Sequence, residues 1–147
     1  MDIRELTIAN IEAIKTLMLD IFSKAPWEDR WTNEQLHAYV SELIGNKNSL
    51  SFGAYKDEIL IGMALGRIKS WYEGTEYWID EFGILPEMQQ SGLGTKFIHE
   101  IEQVLAGKGF AHIVLLTERN VPAYRFYQKN GFEEMVDTVF FVKPIKS

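Results

Sequence analysis

The stretch Ile84-Leu85-Pro86-Glu87-Met88-Gln89-Gln90-Ser91-Gly92-Leu93-Gly94-Thr95 joins an extended apolar run to a strongly periodic one through two glycines set one residue apart. The periodic run, with Leu93, Phe97, Ile101, Val104 and Leu105 on one side, reads as a helix that stops at Gly107 to Gly109. A strand, a glycine turn and a helix start together make a candidate anion cradle. The helix N-terminus leaves N–H groups without partners and carries about half a unit of positive charge. Gly92 and Gly94 lack the Cβ atoms that would hold a phosphate away from that backbone. A dinucleotide fingerprint needs a third glycine and a P-loop needs a Gly-Lys-Ser/Thr ending, and the stretch has neither. Because Gly-x-Gly also fits an ordinary strand-to-helix turn, the flanking sequence has to decide.

Working backwards, Glu76 to Leu85 reads as a long strand, preceded by the turn Trp71 to Thr75. Ser49 to Tyr55 and Ile59 to Ile68 read as an antiparallel hairpin about Lys56-Asp57-Glu58, which makes a three-strand meander. Further back, Ile3 to Ile8 is a short strand pattern. Asn10 is placed to cap a helix with the stripe Ile11, Ile14, Leu17, Met18, Ile21 and Phe22. Thr32 and Gln35 form a capping box for a second helix with Leu36, Tyr39, Val40, Leu43 and Ile44 on its apolar face. Between the two helices, Ala25 to Trp31 has no period and holds two tryptophans, a proline and two carboxylates, so it reads as a loop with a function.

Working forwards, Ala111 to Thr117 is a nearly continuous apolar run, suited to a strand buried on both faces beside a parallel neighbour. Its link to the strand before the glycine loop passes through a helix, a β-α-β crossover. Asn120 is placed to cap a short helix with Pro122 in its first turn and Gly131 at its end. Phe132 to Met135 and Thr138 to Val142 read as a closing hairpin. The expected order is β-α-α-β-β-β-α-β-α-β-β, an α+β fold in one domain over residues 1–147, with a mixed sheet of about seven strands and helices on both faces.

Composition narrows the function. The 147 residues contain no cysteine, which excludes disulfides, thiolate nucleophiles and cysteine-ligated zinc. His37, His99 and His112 lack ligand spacing, so no metal is expected, and His99 falls on the polar side of its helix. A net charge of −6 argues against a nucleic-acid partner and suits a cationic substrate. No apolar run approaches the roughly 20 residues of a membrane span and nothing reads as a signal peptide, so a soluble cytoplasmic protein is expected.

Two motifs at a matched separation now identify the pattern. Gln89-Gln90-Ser91-Gly92-Leu93-Gly94 resembles the acetyl-CoA loop of the GCN5-related N-acetyltransferase (GNAT) superfamily, written Arg/Gln-x-x-Gly-x-Gly/Ala. Asn120-Val121-Pro122-Ala123-Tyr124-Arg125-Phe126-Tyr127-Gln128-Lys129-Asn130-Gly131-Phe132 resembles that superfamily's Asn-x-x-Ala-x-x-Phe-Tyr-x-Lys-x-Gly-Phe segment. A weaker likeness at Ala25-Pro26-Trp27 and Trp31-Thr32 is to small-molecule members, some aminoglycoside-type enzymes among them. Many members have arginine and glycine where this chain has Gln89 and Gln90.

The resemblance implies a mostly antiparallel sheet whose central parallel pair splays apart, and acetyl-CoA as acetyl donor. It implies that the N–H groups of Gln90, Ser91, Gly92, Leu93, Gly94 and Thr95, with Gln89 beside them, hold the pyrophosphate. The pantetheine arm then pairs with backbone near Phe82 to Ile84, with the oxyanion at an N–H near Ile84. It implies Tyr127 as the acid beside the thioester sulfur, protonated at neutral pH because a phenol titrates near pH 10, and Asn120 as a further cofactor contact. A base must relieve the substrate ammonium of its proton. Asp80 is the first choice and Glu81 the second. Plain alternation puts Glu76 and Asp80 on one face and Glu81 on the other, and a bulge of the kind family members carry resets that parity. Trp27, Glu28, Trp71 and Tyr72, with Asp80, are candidates for an aromatic, acidic mouth around a cationic amine. Trp31 fits packing of the helix pair at least as well.

The leading expectation is acetyl transfer to a primary amine of a small cationic molecule. Protein lysine or N-terminal acetylation, and a silent acyl-CoA sensor, remain alternatives. Thr138 to Val142, with Phe140 and Phe141, offers an edge for a homodimer.

Overall fold

The meander expected from the turn residues is the backbone of the fold. In this computed structural model, which describes residues 1–146, the elements run β1 (Asp2–Leu6), α1 (Ile11–Phe22), α2 (Asn33–Ile44), β2 (Ser49–Lys56), β3 (Ile59–Trp71), β4 (Gly74–Ile84), α3 (Leu93–Gly107), β5 (His112–Leu115) and α4 (Pro122–Lys129). The sheet order is β1-β2-β3-β4-β5, antiparallel except for the β4–β5 pair. Asp57 and Glu58 turn the β2–β3 hairpin with φ of 51° and 66°. Two compact units emerge, Met1–Leu116, which holds the whole sheet, and the segment from Thr117 onward, which holds α4. No described helix is long and apolar enough to cross a membrane.

Helices cover both faces of the sheet. On one face, Ile14, Leu17, Met18, Ile21 and Phe22 of α1 and Leu36, Val40 and Ile44 of α2 pack with Met63 and Leu65 of β3. On the other, Phe97 of α3 is fully buried and stacks on Phe82 of β4 with ring centroids 5.5 Å apart. Truncating such a ring to alanine typically costs about 3–5 kcal/mol.

Several local expectations change. The Thr32–Gln35 capping box forms as read, with reciprocal bonds of 3.1 and 2.9 Å. Asn10 instead completes a capping box with Thr7 around the 3-10 turn Ile8–Asn10, and gives no side-chain cap to α1. Val121, not Asn120, occupies the N-cap of α4, because Pro122 fixes the first turn without needing a donor. The sheet has five strands among the described residues, not about seven, since Phe132 to Met135 and Thr138 to Val142 pair with nothing there. Nor is β5 buried on both faces. As the last strand it leaves Ile113, Val114 and Leu115 half-buried and Leu116 67% exposed.

Candidate active site

β4 is interrupted where the chemistry was expected. Leu65 stands opposite Glu81 while Gly66 stands opposite Ile79, so Asp80 is an extra residue, a β-bulge. The bulge resets the alternation: Glu81 joins Asp80, Trp78 and Glu76 on the face that carries Leu65 and Arg67, under α1 and α2. Two adjacent carboxylates therefore share one face of one strand, the parity the bulge was expected to produce.

Their environments differ. Asp80 takes an ion pair from Arg67 at 3.3 Å and borders a polar cleft of about 210 Å³ with Glu42, Asn46 and Asn48 beside the C-terminus of α2. Glu81 lies deeper and accepts a hydrogen bond from the Tyr39 hydroxyl of α2 at 2.5 Å. Burial pushes the Glu81 carboxyl up to about 7, with the Tyr39 hydrogen bond holding it down and Asp29 and Asp80 adding to the rise. A carboxylate that titrates near neutral pH can both accept and release a proton there. Glu76, the third carboxylate of this strand, takes bonds from the Trp78 indole at 3.0 Å and from His112 at 3.4 Å.

The expected aromatic mouth is divided. Trp27, half-buried, packs edge-on against Phe22 at the border of the core cluster, whereas Glu28 beside it is exposed with φ of 52°. Trp71 and Tyr72 lie at the far end of the β3–β4 hairpin, tilted together and exposed. Lys69 stands 5.3 Å over Trp71 and 4.9 Å over Trp78, and Arg67 stands 5.5 Å over Trp78, so the chain's own cations sit on these rings. Trp31 stacks on Tyr39 at 5.1 Å and 23°, as the packing alternative for it held, and its buried indole N–H has no hydrogen-bond partner among the described residues.

From the bulge onward, β4 is not paired with β5 among the described residues. The β4–β5 pairing ends at Ile79 opposite Leu115, yet β4 runs on to Ile84. Leu85 N–H donates to Ile61 at 2.8 Å, and by alternation the backbone groups of Phe82 and Ile84 face away from β3, toward the edge where pairing has stopped. The side chains of Phe82 and Ile84 face α3's side of the sheet.

The glycine loop follows. A 3-10 turn over Pro86–Met88 leads to Gln89, whose side-chain amide donates back to the Ile84 carbonyl at 3.0 Å rather than extending outward. Gln90 has φ of 66° and Gly92 has φ of 82°, left-handed positions in the turn, and a Cβ on Gly92 would meet no protein atom within 4 Å. Ser91 caps locally, its hydroxyl donating to the Met88 carbonyl at 2.5 Å. The first helical bond runs from Lys96 N–H to the Gly92 carbonyl at 3.1 Å, which leaves the N–H groups of Leu93, Gly94 and Thr95 without a backbone partner among the described residues. Such a concavity of N–H groups at a helix start fits an anion.

The family model described as "Acetyltransferase (GNAT) family" matches residues 11–132. The chain belongs to this family. No curated protein matches it. Among solved structures, an aminoglycoside acetyltransferase, meta-AAC0020, from an uncultured soil metagenomic sample in complex with sisomicin aligns with a TM-score of 0.79 at 19% identity, covering 99% of this chain and 96% of that one. AAC(6')-Iy in complex with a bisubstrate analogue of coenzyme A and acetylneamine aligns with a TM-score of 0.73 at 23% identity, covering 98% of each chain. AAC(6')-IG from Acinetobacter haemolyticus aligns with a TM-score of 0.75 at 21% identity, covering 99% of this chain and 100% of that one. At these identities the likeness establishes the GNAT fold.

As a GNAT acetyltransferase the chain takes acetyl-CoA as its acetyl donor, and the N–H concavity at the start of α3 fits an anion such as its pyrophosphate. The second GNAT motif lies in the segment from Thr117 onward. Within it, Tyr127 packs edge-on against Phe126 and Phe132 at 5.4 and 5.3 Å. Asn120 borders a surface cleft of about 630 Å³ with Arg119, Tyr124 and Arg125, and Glu134 accepts bonds from both Arg119 and Tyr124. Sequence reasoning missed Tyr39, Trp78 and Arg67. Tyr39 had been read as part of the apolar face of α2, and nothing in the sequence around it marks its hydroxyl as a partner for a residue 42 positions on.

Proposed function

We propose that the chain transfers the acetyl group of acetyl-CoA to a primary amine of a small cationic molecule, with Glu81 as the base. The observation that carries this reading is a carboxyl brought to about 7 by burial, two residues beyond Ile79, where the pairing of β4 with β5 ends. Bound along β4 there, acetyl-CoA supplies the activated thioester. Glu81 takes the proton of the substrate ammonium, and the freed amine attacks the acetyl carbon. Ile84 N–H meets the carbonyl oxygen as its charge develops. As the carbon–sulfur bond breaks, Tyr127, by its match to the family motif, protonates the departing sulfur, and the second proton that the nitrogen sheds as the amide forms restores the phenol through solvent. The N–H groups of Gln90 to Thr95 hold the pyrophosphate, with Gln89 bracing the loop through Ile84 instead of contributing charge, and Asn120 adds a cofactor contact.

Asp80 then serves substrate binding. The cleft it shares with Glu42 lies at the negative end of the α2 dipole, which favours a cation. Glu28, exposed beside the half-buried Trp27, is assigned with it to the acceptor region, and Trp71 and Tyr72, at the far end of the hairpin, to a separate outer contact whose Trp71 face Lys69 covers until a ligand displaces it. A second copy of the chain is assigned to the segment Thr138 to Val142, where Phe140 is 75% and Phe141 88% exposed; light scattering that gives a monomer would reject that assignment. We assign the enzyme to the cytoplasm: no described helix is long and apolar enough to cross a membrane, and the sequence holds no cysteine and no basic surplus. Thiol release from acetyl-CoA across a panel of polyamines, aminoglycosides, amino acid amides and lysine peptides tests the reading. Turnover with the small polyamines or aminoglycosides is expected. Tight acetyl-CoA binding without turnover on any amine would overturn it, and preference for lysine peptides would move the acceptor to proteins.

A further inference from the structure

We infer that Tyr39 is a positioning residue for the transfer: its hydroxyl holds one oxygen of the Glu81 carboxylate and so favours the ionised form of the base. The inference rests on the reading of Glu81 as base. Its geometry is independent of that reading. Tyr39 projects from α2, 42 residues from Glu81 in sequence, and its hydroxyl reaches Oε2 at 2.5 Å, a length typical of a strong bond to a charged acceptor. The Tyr39 ring is fixed by its stack on Trp31, which itself packs against the α1–α2 core, so the hydroxyl is held in place rather than free to swing.

The surrounding charges explain why such a donor is needed. Asp80 faces Glu81 from the same strand and Asp29 from the loop after α1, and both oppose a second negative charge. The nearby cation, Arg67 of β3, is engaged by Asp80 at 3.3 Å and lies over Trp78. Burial also disfavours the carboxylate. Against these three effects the Tyr39 hydroxyl is the group that favours the ionised form. Burial, and then the charge of Glu81, pushes Tyr39's own titration far above the ordinary phenol range, so its proton stays on oxygen and it acts as a donor, not a second base. With Oε2 occupied, Oε1 is the atom that takes the ammonium proton.

The test is the pH dependence of kcat/KM, with an amine that the wild-type enzyme turns over, for the wild type, Tyr39→Phe, 3-fluorotyrosine at position 39, and Glu81→Gln. Phenylalanine keeps the ring on Trp31 and removes only the hydroxyl. Its acidic limb is expected to move up by about one pH unit or more, so that the rate at pH 6.5 falls about tenfold and recovers at high pH. The KM for acetyl-CoA should not change. The fluorinated phenol is the stronger donor and should move the limb down. Glu81→Gln should abolish the limb. A limb lost in Glu81→Gln but unmoved in both Tyr39 variants, or a Tyr39→Phe rate lowered equally at every pH, would overturn the role of Tyr39 alone. A limb that survives Glu81→Gln would overturn the base reading beneath it.

Discussion

The two sides of Ile84 are built by different means. Before it, the Glu81 region is made of side chains gathered from four separate segments: Asp29 from a loop, Trp31 and Tyr39 at and in α2, Arg67 from β3, and Asp80 with Glu81 from β4. After it, the Gln89–Thr95 loop presents mostly backbone, and its polar side chains turn inward, Gln89 to Ile84 and Ser91 to Met88. A backbone cradle tolerates changes of side chain so long as its φ angles are kept. A buried carboxylate depends on every neighbour, because the low dielectric around it amplifies each charge and hydrogen bond. The first region should therefore govern proton transfer and the second cofactor affinity, with little exchange between them.

Substitution can break that division. The largest effect belongs to Glu81→Gln, which should lower kcat/KM at pH 7 by on the order of 10²- to 10⁴-fold while leaving acetyl-CoA affinity, measured by calorimetry, unchanged. A matching loss of affinity would merge the two regions into one.

The same variant should be more stable than the wild type at alkaline pH. The folded-state value of about 7 lies above the ordinary carboxyl value of 4.5, so the native state holds the extra proton between those limits. Stability from this group is therefore present below pH 4.5 and lost as pH rises through 7. Thermal melts should show Glu81→Gln ahead of the wild type by about 3 kcal/mol at pH 8, and level with it near pH 4.5. An equal gap at both pH values would mean that burial of the charge is not the cause.

In the loop, Gly92→Val forces a β-branched residue to φ of 82° and puts side-chain atoms where the anion is assigned. Acetyl-CoA affinity should fall about tenfold or more, corresponding to at least about 1.4 kcal/mol, with the acidic limb of the pH profile unmoved. The smallest effect is that of Gln90→Gly, which relieves a left-handed non-glycine residue at φ of 66°. It should leave affinity within about threefold and stability level or up to about 1 kcal/mol higher. A tenfold loss of affinity there would show that the Gln90 side chain, not its backbone, contacts the cofactor.

The same contrast explains what could be read in the sequence. The strand-turn-helix course of the loop was legible because Gly92, at φ of 82°, marks the turn locally, and the meander was legible because Lys56-Asp57-Glu58 and the apolar alternation around it specify a hairpin. The two carboxylates could be named, but their ranking could not. The bulge at Asp80 decides which face Glu81 takes, and burial by α2 decides which carboxyl is raised toward neutral pH. Both follow from tertiary packing. Tyr39 shows the limit most plainly, since at helical spacing with Leu36, Val40 and Leu43 it reads as one more apolar contact. The closing strands were over-read for the opposite reason: Thr138 to Val142 has the composition of a strand, and composition alone does not supply a neighbour to pair with.

The most direct test of the account sets the two adjacent carboxylates against each other, by measuring the pH dependence of kcat/KM for Glu81→Gln and Asp80→Asn beside the wild type. The account predicts that the wild-type limb near pH 7 disappears in Glu81→Gln and persists in Asp80→Asn, with Asp80→Asn raising the KM for the amine. A limb that persists in Glu81→Gln and disappears in Asp80→Asn would contradict it and make Asp80 the base.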